Sequence, residues 1–264
     1  MIGKNIRLER IIDRQTRKTV IVPMDHGVTV GPIAGIENMR DMVNAVAEGG
    51  ANAVLGHIGL PLHGHRRYGH DIGLILHLSG STVWSPDPNA KVLVNTVENA
   101  LRFGADCVSV HINIGADNEA KMLSDFGAVS VKCMEWGMPL LAMMYTRGKK
   151  IKSESDPEGV RHAARIAAEL GADIVKVTYP GSAKSFEKVI SGCPIPVVIA
   201  GGEKMSDEAA LFKIIKDAMD SGGSGVAVGR NAFGHASPVK MTRAITALVH
   251  QGASIEDALR IIRE

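Results

Sequence analysis

Cysteine is scarce in this 264-residue chain: Cys107, Cys133 and Cys193 stand far apart, odd in number and without CxxC spacing. Such a set excludes a disulfide framework and suggests a reduced, cytoplasmic chain whose thiols pack as small hydrophobes. No sign of charge dominates either. The 30 Lys+Arg face 28 Asp+Glu, a formal +2 with His neutral, which argues against a nucleic-acid partner held through phosphates. No apolar run approaches the roughly 20 residues of a membrane-spanning helix. The opening MIGKNIRLERIIDRQTRK alternates charge with Ile and Leu, so it has no signal-peptide core and no membrane partner is expected. No Pro/Ser-rich linker or charge block divides the chain, and 1–264 reads as a single domain. What is present is 45% hydrophobic, 22% charged and 4% aromatic material, the profile of a soluble globular chain and not of a disordered polymer.

Short apolar runs recur, each followed by an amphipathic stretch: TVIVPMD (19–25), ANAVLGH (51–57), GLILHLS (73–79), CVSVHIN (107–113), PLLAMMY (139–145), ADIVKVT (172–178), PVVIAG (196–201) and GVAVG (225–229). One run falls roughly every 33 residues, room for a strand, a loop and a helix. The runs are rich in Val, Ile and Leu without alternation, as parallel strands covered on both faces require. Helical periodicity fills the intervals. GIENMRDMVNAVAEGG stops at Gly49-Gly50, EGVRHAARIAAELGAD stops at Gly171, and SDEAALFKIIKDAMDSGG opens on Ser206 as N-cap and closes at Gly222-Gly223. Gly-Ala-Asp at 104–106 and 171–173, echoed by Gly50-Ala51-Asn52, reads as the helix stop and strand entry of a repeated unit. The economical fold is α/β, a single (β/α)8 TIM barrel; a doubly wound open sheet is the alternative.

Barrel chemistry sits where strands end. Those ends supply Asp25-His26-Gly27, His57, His77, His111 with Asn113, Tyr145, Lys176 with Thr178, Gly201-Gly202 and Gly229-Arg230. Lys176 lies between Val175 and Val177 on a strand with no water face. Its amine either pairs, loses its proton to become a nucleophile toward carbonyls, or snorkels to the rim. Asp25 and Tyr145, ending the first and fifth strands, are a carboxylate and a phenol able to divide the proton transfers of imine chemistry. Taken singly, each is better explained by a turn cap or a rim aromatic, but three suitable groups on three strand ends together favour the chemistry. Glycines ending the seventh and eighth strands, with Arg230, suit a phosphate held by backbone N–H groups and a charged fork. GGSG at 222–225 is no dinucleotide fingerprint. His63, His65 and His70 lie on a Gly-rich stretch with Arg66 and Arg67. They suit a basic, anion-facing loop better than a metal site, since no helix fixes their spacing.

Together VPMDHG, GHRRYG with LILHLSGST, MMYTRGK, ADIVKVTY, AGGEK and GVAVGRNAF resemble the archaeal-type class I aldolase family with a Schiff-base lysine. The likeness runs from RLERI at 7–11 to the last helix. It implies a (β/α)8 barrel with a short N-terminal helical extension. It also implies Lys176 as the imine-forming lysine, Asp25 as proton acceptor and Tyr145 as proton donor. Asp25, His26, Gly27, Val28 and Thr29 match the family's sugar-binding loop; Tyr145, Thr146 and Arg147 match a second contact; Gly201, Gly202, Gly229 and Arg230 match the phosphate end. No metal and no cofactor are implied, because the iminium is itself the electron sink. The implied partners are a phosphorylated keto sugar and an amino-acid semialdehyde, in a transaldol reaction between 6-deoxy-5-ketofructose 1-phosphate and L-aspartate semialdehyde. That reaction releases hydroxypyruvaldehyde phosphate on an archaeal route to 3-dehydroquinate and aromatic amino acids. Class I cleavage of fructose 1,6-bisphosphate is the alternative, and a homodecamer of stacked pentameric rings is the implied assembly. Thr146, where many relatives carry proline, and Lys149-Lys150 depart from the pattern. The GHRRYGHD loop and Trp84-Ser85-Pro86 are the expected places for substrate discrimination.

Overall fold

The structure is a computed structural model and describes residues 1–64 and 68–264. The eight apolar runs become eight parallel strands: Thr19–Pro23, Ala53–Gly56, Gly73–His77, Cys107–Ile114, Leu140–Thr146, Ile174–Val177, Val197–Ala200 and Gly225–Ala227. Each pairs with the next, and the first closes on the last through Val20↔Val226 and Ile21↔Ala227. The result is a (β/α)8 barrel, preceded by the short helix Ile2–Leu8. No helix among the described residues is long and apolar enough to cross a membrane.

Side chains alternate across each strand, so every strand feeds two cores. Outward residues such as Val20, Val54, Val108, Val175, Val177 and Val226 meet the helices, which contribute Phe126, Phe186 and Phe212. Inward residues, among them Ile21, Leu55, Ile75, Leu141, Met143, Ile174 and Val198, fill the barrel, and Ile11 and Ile12 join them. Ile11 lies at the strand starts, where its carbonyl accepts from the Thr19 hydroxyl at 2.6 Å. The three cysteines are free and buried, and burial pushes all three thiols up, Cys133 to about 12. They are packing residues.

The repeated Gly-Ala-Asp does more than stop a helix. Gly50, Gly104 and Gly171 take positive φ (89°, 70° and 87°) as chain-reversing residues. The third residue then bonds back to the preceding strand. Asn52 Oδ1 accepts from Val20 N at 2.7 Å, Asp106 Oδ2 from Leu74 N at 2.9 Å and Asp173 Oδ2 from Leu140 N at 2.9 Å. Each bond spans one repeat and satisfies a backbone donor at the bottom of the barrel.

Three details differ from the sequence expectation. The helix Glu208–Asp220 is capped by Asp207 and not by Ser206, because the Asp207 carboxylate reaches both Ala209 N (2.9 Å) and Ala210 N (3.2 Å). Residues His26–Val30, expected as a loop, form a short helical turn. A small antiparallel pair, Ser79–Gly80 with Val92–Leu93, folds the segment after the third strand back over the rim; its two-residue strands are too short to leave a periodic signal.

Candidate active site

Strand parity decides the site. Ile174 belongs to the inner core while Val175 and Val177 belong to the outer one, so Lys176 points into the barrel. It is buried (7% exposed) and faces a cavity of about 420 Å³ at the C-terminal rim, together with Asp25, His26, Thr29, Tyr145, Arg147, Gly201, Gly202, Gly229 and Arg230. Tyr145 reaches the cavity by the same parity: Leu141, Met143 and Tyr145 are all inner residues. The ladder pairs Met143 with Lys176 and Asn113 with Tyr145.

Burial by itself would raise Asp25, but the charges of His77, Lys176 and His26 outweigh it and bring the carboxyl down to about 2. His77 is itself buried, its Nδ1 2.8 Å from the Ser109 hydroxyl and its Nε2 4.0 Å from Asp25 Oδ2. Desolvation lowers it to about 3 despite the pull of Asp25. Such an imidazole is neutral at pH 7. His57, 5.1 Å from His77 ring to ring, is lowered by burial too. His111 is lowered well below its ordinary value by burial and then by Lys91. Its Nε2 meets Asn113 Oδ1 at 2.8 Å and its ring lies 5.0 Å from that of Tyr145. The Arg147 guanidinium lies over the Tyr145 ring at 4.5 Å, held by both carboxylate oxygens of Glu154 (2.7 and 3.0 Å). The phenol ring thus touches both side chains.

At the seventh and eighth strand ends the backbones approach closely. A Cβ on Gly201 would lie 2.8 Å from Val228 Cα, and one on Gly229 would lie 2.7 Å from the Pro23 carbonyl. Arg230 begins a short helix, Arg230–Phe233, and donates to the Gly202 carbonyl at 3.1 Å. Asn231, which the sequence did not single out, is buried and holds the turn together. Its Nδ2 donates to the carbonyls of Gly201 (2.9 Å) and Glu203 (2.8 Å), and its Oδ1 accepts from Met205 N at 2.7 Å.

Some expected residues lie elsewhere. Gly27 and Val28 are exposed on the short helical turn, outside the cavity lining. Thr146 is buried with its hydroxyl donating to the Glu154 carbonyl at 3.2 Å, and it lines an adjoining depression with Lys149. Trp84 is 91% exposed and lines no part of the cavity. Of the basic loop, His65, Arg66 and Arg67 lie outside the described residues, while His63 and His70 are exposed. Among the described residues no cluster of three His, Cys, Asp or Glu side chains could hold a metal. Sequence reasoning also missed Lys91, which is buried (8% exposed) and lines the cavity. Its context, Pro86-Asp87-Pro88-Asn89-Ala90, carries only turn residues, and no local pattern announces an inward lysine.

An inward lysine at the C-terminal rim of a (β/α)8 barrel, beside a carboxylate and a phenol, defines an enzyme barrel of the aldolase class. The DeoC/LacD family aldolase model matches residues 19–235, and the chain belongs to that family. It is 44% identical to 2-amino-3,7-dideoxy-D-threo-hept-6-ulosonate synthase 1 of Archaeoglobus fulgidus over 98% of this chain and 95% of that protein. It is 40% identical to 2-amino-4,5-dihydroxy-6-oxo-7-(phosphonooxy)heptanoate synthase of Streptomyces griseus, over 96% and 92%. An archaeal fructose-1,6-bisphosphate aldolase, solved with its catalytic lysine covalently bound to the carbinolamine intermediate of the substrate, superposes with TM-score 0.85. It shares 30% identity over 94% of this chain and 99% of that one.

Proposed function

We propose that this chain, as a single 1–264 domain, is a Schiff-base transaldol enzyme building a seven-carbon 2-amino keto acid. The observation that carries the reading is the inward Lys176 sharing one cavity with Asp25 and Tyr145. The two synthases named above support it, since both are named for seven-carbon 2-amino products. The donor is 6-deoxy-5-ketofructose 1-phosphate and the acceptor L-aspartate semialdehyde. The Lys176 amine adds to the donor ketone nearer the methyl end and loses water to give an iminium. Asp25, ionised across the physiological range, takes the proton of the hydroxyl whose carbon becomes the departing aldehyde. The carbon–carbon bond breaks, its electrons pass to the iminium, and hydroxypyruvaldehyde phosphate leaves. The retained hydroxyacetone enamine adds to the semialdehyde carbonyl, Tyr145 supplies a proton to the new alkoxide, and water releases the product from Lys176. His26 and Thr29 line the sugar site with Gly27 and Val28 in the same turn, Thr146 and Arg147 flank Tyr145, and Gly201, Gly202, Gly229 and Arg230 form the phosphate end.

That phosphate end favours a second reading, in which the phosphate stays on the retained ketone fragment. Fructose 1,6-bisphosphate is such a donor, and the Streptomyces griseus relative is named for a product with a 7-phosphonooxy group beside a 6-oxo carbon. Assays of the pure protein with each donor, with and without L-aspartate semialdehyde, separate the two. Borohydride with the donor should add one fixed mass at Lys176 and none in Lys176→Met; labelling that survives the substitution removes the mechanism. A homodecamer and a reducing, cytoplasmic setting complete the proposal, and light scattering tests the first.

A further inference from the structure

Asp25 is the base of the reaction above, and nothing in that reaction uses the polar pair packed beneath it. Strand parity builds the pair. On the third strand Ile75 is an inner residue and Leu76 an outer one, so His77 points inward. On the fourth, Cys107 is inner and Val108 outer, so Ser109 points inward too. The ladder sets His77 beside Ser109. His77 is 3% exposed, Ser109 is fully buried, and neither lines the cavity. Burying an imidazole and a hydroxyl in an apolar core has a desolvation cost, and apolar side chains would meet a packing role alone.

The two ring nitrogens of His77 face different partners. Nδ1 lies 2.8 Å from the Ser109 hydroxyl, and Nε2 lies 4.0 Å from Asp25 Oδ2. A lone pair aimed at a carboxylate would be repelled, so the proton of the neutral ring belongs on Nε2 and Ser109 donates to Nδ1. The other carboxylate oxygen, Oδ1, lies 3.9 Å from Nδ1 of His26, a residue that lines the cavity. Oδ1 is therefore on the substrate side of the carboxyl and Oδ2 on the buried side. At 4.0 Å the His77 contact is not yet a hydrogen bond; a small turn of the Asp25 side chain closes it. We propose that His77, oriented by Ser109, is the positioning residue for the catalytic base: its Nε2–H bonds Asp25 Oδ2 and so aims Oδ1 at the substrate hydroxyl. In this chain of three the serine orients the histidine, the histidine orients the carboxylate, and the carboxylate moves the proton. The assignment rests on Asp25 acting as the base in the functional reading above, and it holds for either donor.

The test is His77→Leu beside His77→Gln, whose amide nitrogen reaches the place of Nε2 and can donate to Oδ2. The groups facing Asp25 are His77, Lys176 and His26, and those facing His77 are Asp25, His57, Lys176 and Lys91. Both variants leave all of these but His77 in place. Turnover of 6-deoxy-5-ketofructose 1-phosphate with L-aspartate semialdehyde is followed against pH, or of fructose 1,6-bisphosphate if wild type cleaves that donor instead. In His77→Leu kcat should fall about 10- to 100-fold, as for loss of a hydrogen bond to a charged group, with KM within about threefold. The acid limb of kcat should move up by about one pH unit, because burial then acts on Asp25 with one donor fewer. His77→Gln should restore most of both. Borohydride labelling of Lys176 with the same donor should persist in both variants, which shows that each folds and forms the imine. A His77→Leu enzyme with wild-type kcat and acid limb, or a Gln variant no better than Leu, would overturn the assignment. So would labelling that falls in step with kcat, the mark of a merely structural role. A wild type whose Lys176 takes no label would overturn the functional reading and, with it, the base that His77 serves.

Discussion

The two rims of the barrel are built on opposite plans. At the N-terminal rim one device is used three times: a positive-φ glycine followed by Asn52, Asp106 or Asp173, each accepting from a backbone N–H that lies 32, 32 and 33 residues earlier. At the C-terminal rim the strand ends facing the cavity are mostly unlike: Asp25, His111, Tyr145 and Lys176 each appear once, and only Gly201 and Gly229 match. Backbone donors at the strand starts are chemically identical, so one answer serves them all. A substrate has distinct ends and distinct reacting atoms, so the opposite rim needs different groups around the ring. Repetition marks the stabilising end and dissimilarity marks the chemical end.

That contrast breaks first at Lys176. Lys176→Met should cut turnover on the order of 10⁴-fold or more, while the melting temperature holds or rises because a buried polar group gives way to an apolar chain of equal length. Calorimetry beside a turnover assay reads both, and a variant with ordinary turnover would put the chemistry elsewhere. Tyr145→Phe should lower kcat by about 10²- to 10⁴-fold, as loss of a proton donor does, with KM little changed and the ring still held by Arg147 and His111. Asp173→Ala tests the other rim. It strands the Leu140 N–H and removes the Lys4 ion pair (2.8 Å). About 1–3 kcal/mol of stability should go, seen in urea unfolding, with kcat unmoved; a large fall in kcat at full occupancy would blur the division.

A further effect is in acid. The His77 imidazole titrates at about 3 folded, against an ordinary 6.5, so between those values the unfolded chain binds a proton that the folded chain refuses. Stability therefore rises with pH across that window and is lost toward acid. Asp25, lowered to about 2 from 3.8, adds stability that is present above 3.8 and disappears as the pH falls through 2. His77→Asn should flatten the decline between pH 6.5 and 4 by about 1.4 kcal/mol per pH unit. Parallel wild-type and variant curves would mean that His77 titrates normally.

Much of this was legible in one dimension. A parallel strand covered on both faces must be apolar throughout, so all eight strands appeared as Val/Ile/Leu runs, and the glycines that end helices marked the repeat. Lys176 was legible because a charge inside such a run has no water to reach. Lys91 was not, because it sits among Pro, Asp and Asn residues that look solvated until the Ser79–Gly80 and Val92–Leu93 pair folds them inward. Asn231 is a similar case: its partners, Gly201, Glu203 and Met205, lie 26 to 30 residues away.

Periodicity along the chain thus settled the barrel and its strands, because burial on both faces constrains every residue of a strand locally. Which polar groups share the cavity, how Asp25 and His77 are shifted, and where a second cation stands were decided only by closure of the ring. Those properties depend on distances between strands that are remote in sequence, and side-chain identity alone carries no such distances.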